Sequence, residues 1–265
     1  MPDWTPDYLS AGTLTAWYKA DSLSLNDGDG VSSWTDSSGN GNDTAQAISI
    51  RQPTFETNEL NSLPVVRYDN NNDLLSDGDI ADLDVGTGDI WLACVFKSTD
   101  DSTQQFLFEK GPTSFALMTT GAGELQARLG GTTNIPKQSS GNWSRTEFVI
   151  ATASRVSSTC NGFVNGSDMT TTGTTNSSSI SNSNVFDIGA TAVTGSPLNG
   201  DIAEILVGGA TLDTNERQKI EGYLAHKYGL EGNLPSDHPY KSAAPGYRVQ
   251  YGISSGLIDG GLIQA

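Results

Sequence analysis

The sequence predicts an all-β fold, a two-sheet sandwich with one helix near its end and an extended C-terminal arm. Three observations predict it. Short apolar or alternating segments bounded by turn residues recur from residue 63 to residue 209, the pattern of a sandwich. Only one stretch, 213–230, carries its apolar residues at helical spacing. The last twenty residues are glycine-rich yet apolar, which suits neither a solvated tail nor a separate domain.

The strands follow in order. LPVVRYD (63–69) is a short apolar run. DIWLACVFKS (89–98) is apolar on both faces, with Ile90, Leu92, Cys94 and Phe96 on one and Trp91, Ala93 and Val95 on the other. That pattern predicts a central strand packed on both sides. QQFLFEKG (104–111), SFALMTTG (114–121), ELQARLGG (124–131) and EFVIATASRV (147–156) come at close spacing. GFVNG (162–166) ends in Asn165-Gly166, a hairpin signal because both positions tolerate positive φ. FDIGAT (186–191) and GDIAEILVGG (200–209) complete the β region.

In the helix, Asp213 and Glu216 have the spacing of a capping box, and Gly229 is placed as the C-terminal stop. Ile220, Tyr223, Leu224, Lys227 and Tyr228 share one face, which must lie against the sandwich or its edge. TTTGTTNSSSISNSN (170–184) reads as an exposed loop or edge hairpin. The tail, 246–265, carries Tyr247, Val249, Tyr251, Ile253, Leu257 and Ile258. It reads as an arm that packs on a neighbour or adds a strand to a sheet edge, with folding back on its own domain as the alternative.

The chain has 265 residues, of which only 17% are charged, yet its net charge is −17. Such a negative field disfavours nucleic acid and anionic membranes as partners. No apolar run is long enough to span a bilayer. The N-terminal MPDWTPDYLSAG lacks the basic and apolar parts of a secretory signal. Of the two cysteines, Cys94 lies in an apolar strand and reads as a buried thiol; sequence leaves its pairing with Cys160 open.

A search for chemistry finds few candidates. The two histidines, His226 and His238, lie in no metal or triad motif. Asp201 and Glu204 in GDIAEI are three apart, so regular strand alternation sends them to opposite faces. A retaining glycosidase needs its two carboxylates about 5 Å apart on one side of the sugar. The loop NDGDGVSSWTDSSGNGNDTAQ (26–46) invites a calcium reading through Asp27 and Asp29. With Gly30 at the sixth position of an EF-hand loop, however, Leu25 falls where the first ligand belongs. The other reading is a β-turn whose Asn and Asp side chains bond their own backbone. For sugar binding, Trp143, beside Asn142 in a strand-entry loop, is the aromatic candidate.

Several segments together resemble a known family: LTAWYKADSLSL (14–25), VSSWTDSSGNGNDTAQ (31–46), RQPTFETNELNSLPVVRYDNNNDLL (51–75), GFVNG, and GDIAEILV followed by ERQKIEGYLAHKYGL and LPSDHPY (200–239). They look like the concanavalin A-like lectin/glucanase superfamily, in the LamG-like branch found in phage virion proteins and bacterial surface proteins. The resemblance covers about residues 10–245. It implies a jelly-roll of two antiparallel sheets, with Trp34 as a core or inter-sheet plug. Asp36 and Ser38-Gly39-Asn40-Gly41 would shape the turn that follows, and Tyr68, Asp69 and Asp73 the next strand exit. Asn72 stands where relatives more often carry an acid.

These readings lead to one expectation. Residues 1–245 form the jelly-roll, including helix 213–229, and 246–265 form the assembly arm. The chain is expected to be a bacteriophage virion structural protein without enzymatic activity, a capsid decoration or a tail or fibre appendage. It would be made in the host cytoplasm and displayed on the virion surface. Its expected partners are other capsid or tail proteins, further copies of itself and host polysaccharide. No cofactor is expected, calcium at Asp27 and Asp29 being the one candidate. The alternatives are a lectin or adhesion module at a bacterial cell surface and, third, a glycoside hydrolase.

Overall fold

The computed structural model of the chain describes residues 4–10, 12–99, 103–191 and 195–246. The arm residues Tyr247, Val249, Tyr251, Ile253, Leu257 and Ile258 lie outside them. In chain order the strands are β1 (Ala16–Lys19), β2 (Ser33–Trp34), β3 (Thr44–Ala45), β4 (Thr54–Leu60), β5 (Leu63–Asp69) and β6 (Leu75–Ser76). Next come β7 (Ile90–Ser98), β8 (Gln105–Lys110), β9 (Phe115–Thr119), β10 (Leu125–Leu129) and β11 (Lys137–Gln138). The last are β12 (Val149–Val156), β13 (Thr159–Val164), β14 (Ser167–Asp168), β15 (Thr174–Thr175), β16 (Phe186–Ile188) and β17 (Asn199–Gly208), before helix α1 (Thr214–Tyr228).

They form the expected sandwich of two antiparallel sheets. The first sheet runs β14-β13-β12-β7-β17-β5-β4, with β1 added to β17 and β15 to β13. The second runs β11-β10-β9-β8-β16-β6-β3-β2. Between them lies the main core. The inward residues of β7, Ile90, Leu92, Cys94 and Phe96, belong to it, as do Tyr18, Trp34, Phe108, Phe115 and Phe186. Trp34, fully buried, meets Tyr18 of the opposite sheet at a tilt, ring centroids 5.9 Å apart, and so plugs the gap between them. Tyr18 continues to Phe186 at 6.0 Å, and Phe186 to Phe108 at 5.8 Å.

The other face of the first sheet is also covered. Trp91, Ala93 and Val95 of β7 pack with Ile220, Tyr223, Leu224 and Tyr228 of α1. The two-faced apolar pattern of β7 thus records two layers, a second sheet on one side and a helix on the other. Burying such side chains contributes roughly 1.5–3 kcal/mol each. The helix ends follow from local chemistry. Asp213 and Glu216 form the reciprocal capping box, and Gly229, with φ of 67°, closes the C-terminus in the left-handed region.

The acidic loop at 26–46 is a structural corner. Asp36 accepts hydrogen bonds from the Trp17 and Ser38 amides, both at 2.8 Å, and from the Asn42 amide at 3.1 Å. Asn40 and Asn42 donate side-chain bonds to the Thr15 carbonyl, each at 2.9 Å. Asp27 accepts from the Thr57 amide and hydroxyl, and these bonds hold its carboxyl below the usual carboxylate range. Asp29 accepts from Asn26. The two candidate calcium residues therefore bind separate parts of the backbone. No group of three or more His, Cys, Asp or Glu side chains forms a metal cluster among the described residues. Cys94 and Cys160 are both buried and unbridged.

The Ser/Thr-rich stretch is partly an edge element, since β15 pairs with Thr159 and Cys160 of β13. It is also anchored in the core. Ile180 is buried, and the buried Arg155 donates to the Ser178, Leu129, Gly86 and Gly88 carbonyls.

Candidate functional site

The site is built where the first sheet changes neighbours. β17 pairs with β7 along its length, but its other edge is shared: β5 takes Asn199 to Ile202, and β1 takes Glu204 to Val207. A β-bulge falls at the switch. Ile202 pairs with Phe96 and Glu204 with Val95, so Ala203 is the extra residue. The bulge resets the alternation. Asp201 and Glu204 therefore share the helix-side face, correcting the expectation that they point apart.

They serve different surroundings. Asp201 pairs with Arg67 and Lys97, both at 2.7 Å, and lines a small cavity with them. Glu204 is fully buried and accepts from the Trp17 indole at 2.6 Å, the Lys227 ammonium at 2.7 Å and the Tyr228 hydroxyl at 2.8 Å. Lys227 also pairs with Asp21 at 2.8 Å, so one ammonium holds both carboxylates. Burial first, and then the Glu204 charge, hold the Tyr223 and Tyr228 phenols above their ordinary range. Both stay protonated beside the carboxylate.

Above this network lies a cleft of about 600 Å³ between β1, the β4–β5 turn and α1. Trp17 and Tyr223 wall it, and Asp7, Asp21, Lys19, Asn61, His226 and Lys227 supply polar groups. Alternation in β1 explains the placement: Ala16 and Tyr18 face the main core, so Trp17 and Lys19 face the helix side. The Lys19 ammonium sits 4.1 Å from the Trp17 ring centroid. The aromatic wall extends beyond the cleft, because Tyr223 meets Trp17 edge-on at 6.3 Å and Trp4 edge-on at 6.4 Å. The short helical turn Pro6–Tyr8 runs between this cleft and a second cavity of about 900 Å³ on its other side.

The sequence-derived sugar candidates lie elsewhere. Trp143 is half-buried against the main core, 5.9 Å from Phe96. Its indole N–H donates to the Gly123 carbonyl, and Arg145 lies over the ring. Asn142 is exposed beside it, within 3.4 Å of Thr170. Trp4, Trp17 and Asp21 were not among the candidates. The signal for Trp17 was present in AWYK, whose outward aromatic implies cover on the sheet's second face. Asp21 had none, because its role depends on a lysine more than two hundred residues away.

No family model matches the chain, and no curated protein does. Among solved structures, the Trypanosoma rangeli sialidase in complex with a 2,3-difluoro-KDN matches with a TM-score of 0.56 at 11% identity. That match covers 82% of this chain and 33% of the other, so the chain spans about a third of the sialidase. Domain 4 of a GH43 extracellular arabinanase from Geobacillus stearothermophilus, in complex with arabinotriose, matches with a TM-score of 0.53 at 15% identity. It covers 77% of this chain and 96% of that domain. At these identities the likeness is one of fold. It corrects the expectation of a chain set apart from enzymes, since the matched structures are a glycoside hydrolase and a domain of another. The chain is a sandwich of two antiparallel sheets, consistent with a lectin/glucanase-like fold and similar to chains that bind or process glycans.

Proposed function

We propose that the chain recognises glycans through the cleft between β1 and α1. The observation that carries this reading is the lining of that cleft: amide, carboxylate and ammonium groups beside the largely buried Trp17 and Tyr223 rings, around about 600 Å³. Sugar sites combine aromatic faces with such hydrogen-bonding groups, and the volume falls within the ~300–1,000 Å³ of small-ligand sites. The strong net negative charge favours neutral over acidic sugars. The arabinotriose bound to the matched arabinanase domain makes arabino-oligosaccharides a first probe. Calorimetric titration with arabino- and gluco-oligosaccharides should show saturable binding that weakens in Lys19→Ala and Asp7→Asn. Saturable binding untouched by either substitution would place the site elsewhere.

A second reading, hydrolysis at the same cleft, is favoured by Asp7 and Asp21, the two carboxylates that line it, since glycoside cleavage uses two carboxylates in one site. Release of reducing ends from an oligosaccharide panel, lost in both Asp7→Asn and Asp21→Asn, would support it; a rate equal to the buffer blank would exclude it.

The setting we propose is a virion surface, with 246–265 as the docking arm and further copies of the chain or capsid or tail proteins as partners. It rests on the acidic composition and the apolar residues of that arm. Mass spectrometry of purified particles should detect the chain, and deleting 246–265 should abolish incorporation. Unchanged incorporation would sink the arm.

A further inference from the structure

The larger cavity, on the far side of the Pro6–Tyr8 turn, has its own set of aromatic and polar groups. Tyr8, Tyr240 and the largely buried Trp4 contribute rings, and Asn215 and Lys219, one helical turn apart on α1, contribute an amide and an ammonium. Tyr8 is 54% exposed, the most open aromatic named among the exposed large hydrophobics. Lys219 reaches to 6.0 Å from the Trp4 ring and has no ion pair among the described residues. Asn215 is exposed at the rim. Asn215 in the first turn of α1 and Lys219 in the second follow the Asp213 cap and share one side of the helix.

This cavity and the cleft share a wall. Trp4 lines one and Tyr223 the other, and the two rings are in edge contact. Successive residues of one short turn also divide between them: Thr5 and Asp7 face the cleft, Trp4 and Tyr8 the cavity. A ligand lying across the turn would meet aromatic and polar groups on both sides of it.

We propose that the cavity is a second subsite, so that the chain binds an oligosaccharide of several neutral units laid across the Pro6–Tyr8 turn rather than a mono- or disaccharide. This deepens, and rests on, the glycan reading of the cleft. The shared wall fixes the two subsites relative to each other, so binding at the second adds to the first without a new loss of translational freedom.

The test is a length series. Arabinobiose and arabinohexaose, and laminaribiose and laminarihexaose, are titrated into the full chain and into Tyr8→Ala and Asn215→Ala, both at exposed positions. In the series that binds, the hexasaccharide should bind at least about tenfold tighter than the disaccharide. Each substitution should remove about three- to tenfold of that preference, the worth of one ring or one hydrogen bond. Equal affinity for both lengths, or a length preference untouched by both substitutions, would overturn the subsite while leaving the cleft standing. Absence of binding by every sugar at every length would overturn the glycan reading and the subsite with it.

Discussion

Glu204 shows how one residue organises the site. A fully buried carboxylate is tolerated only when its charge is compensated, and here an ammonium, an indole N–H and a phenol converge on it. Glu204→Ala would leave Lys227 half-paired and the Trp17 indole without an acceptor, while the Tyr228 hydroxyl would keep the Ala203 carbonyl at 3.2 Å. We expect a loss of about 3–5 kcal/mol in chemical unfolding, with loss of any cleft ligand. A loss below about 1 kcal/mol would show that water replaces the carboxylate. Glu109 is the opposite case. Burial first, with the Asp187 charge, pushes its carboxyl up to about 7, against the pull of Thr191 and Gly111. Asp73 is raised to about 6 by burial and by Asp69. In both, the folded state holds a proton that the unfolded state has already released, so their contribution to stability falls as pH rises, from about 3.8 to 6 for Asp73 and from about 4.5 to 7 for Glu109. Glu109→Gln should therefore flatten the pH slope of stability across that window and be relatively more stable at about pH 8 than at about pH 5. A slope equal to that of the parent chain would contradict this.

At the scale of elements, much of the fold was legible. LPVVRYD is β5, and the two-faced pattern of β7 was both correct and informative. The helix was readable because its signals are local: a capping box at one end and a glycine at the other. Asp213→Ala should cost about 1 kcal/mol through loss of that cap; an unchanged unfolding midpoint would mean that packing alone fixes the helix start. Two things were illegible for physical reasons. Strands of two residues, such as β2, β3, β6 and β11, have no period to detect; their existence depends on a partner strand. The bulge at Ala203 has no signature in GDIAEI, because it arises where β17 exchanges one neighbouring strand for another. That single extra residue is why Asp201 and Glu204 were read on opposite faces.

For the whole molecule, the three layers decide where a ligand can meet it. The inter-sheet core is closed by its aromatic residues, and α1 covers the far face of the first sheet. The open, aromatic-lined ground lies at the margin of α1, where β1 and the turn Pro6–Tyr8 meet it. Sequence could not assemble this place, because its parts come from both ends of the chain. The five tryptophans, Trp4, Trp17, Trp34, Trp91 and Trp143, provide a direct test. Each indole N–H gives its own amide-type NMR signal, and they sample the site, the core and the alternative loop separately. On titration with a neutral oligosaccharide that the chain binds, the account predicts that the Trp17 and Trp4 indole signals shift together and saturate while Trp34 and Trp143 stay fixed. Shifts confined to Trp143, with Trp4 and Trp17 unmoved, would contradict it.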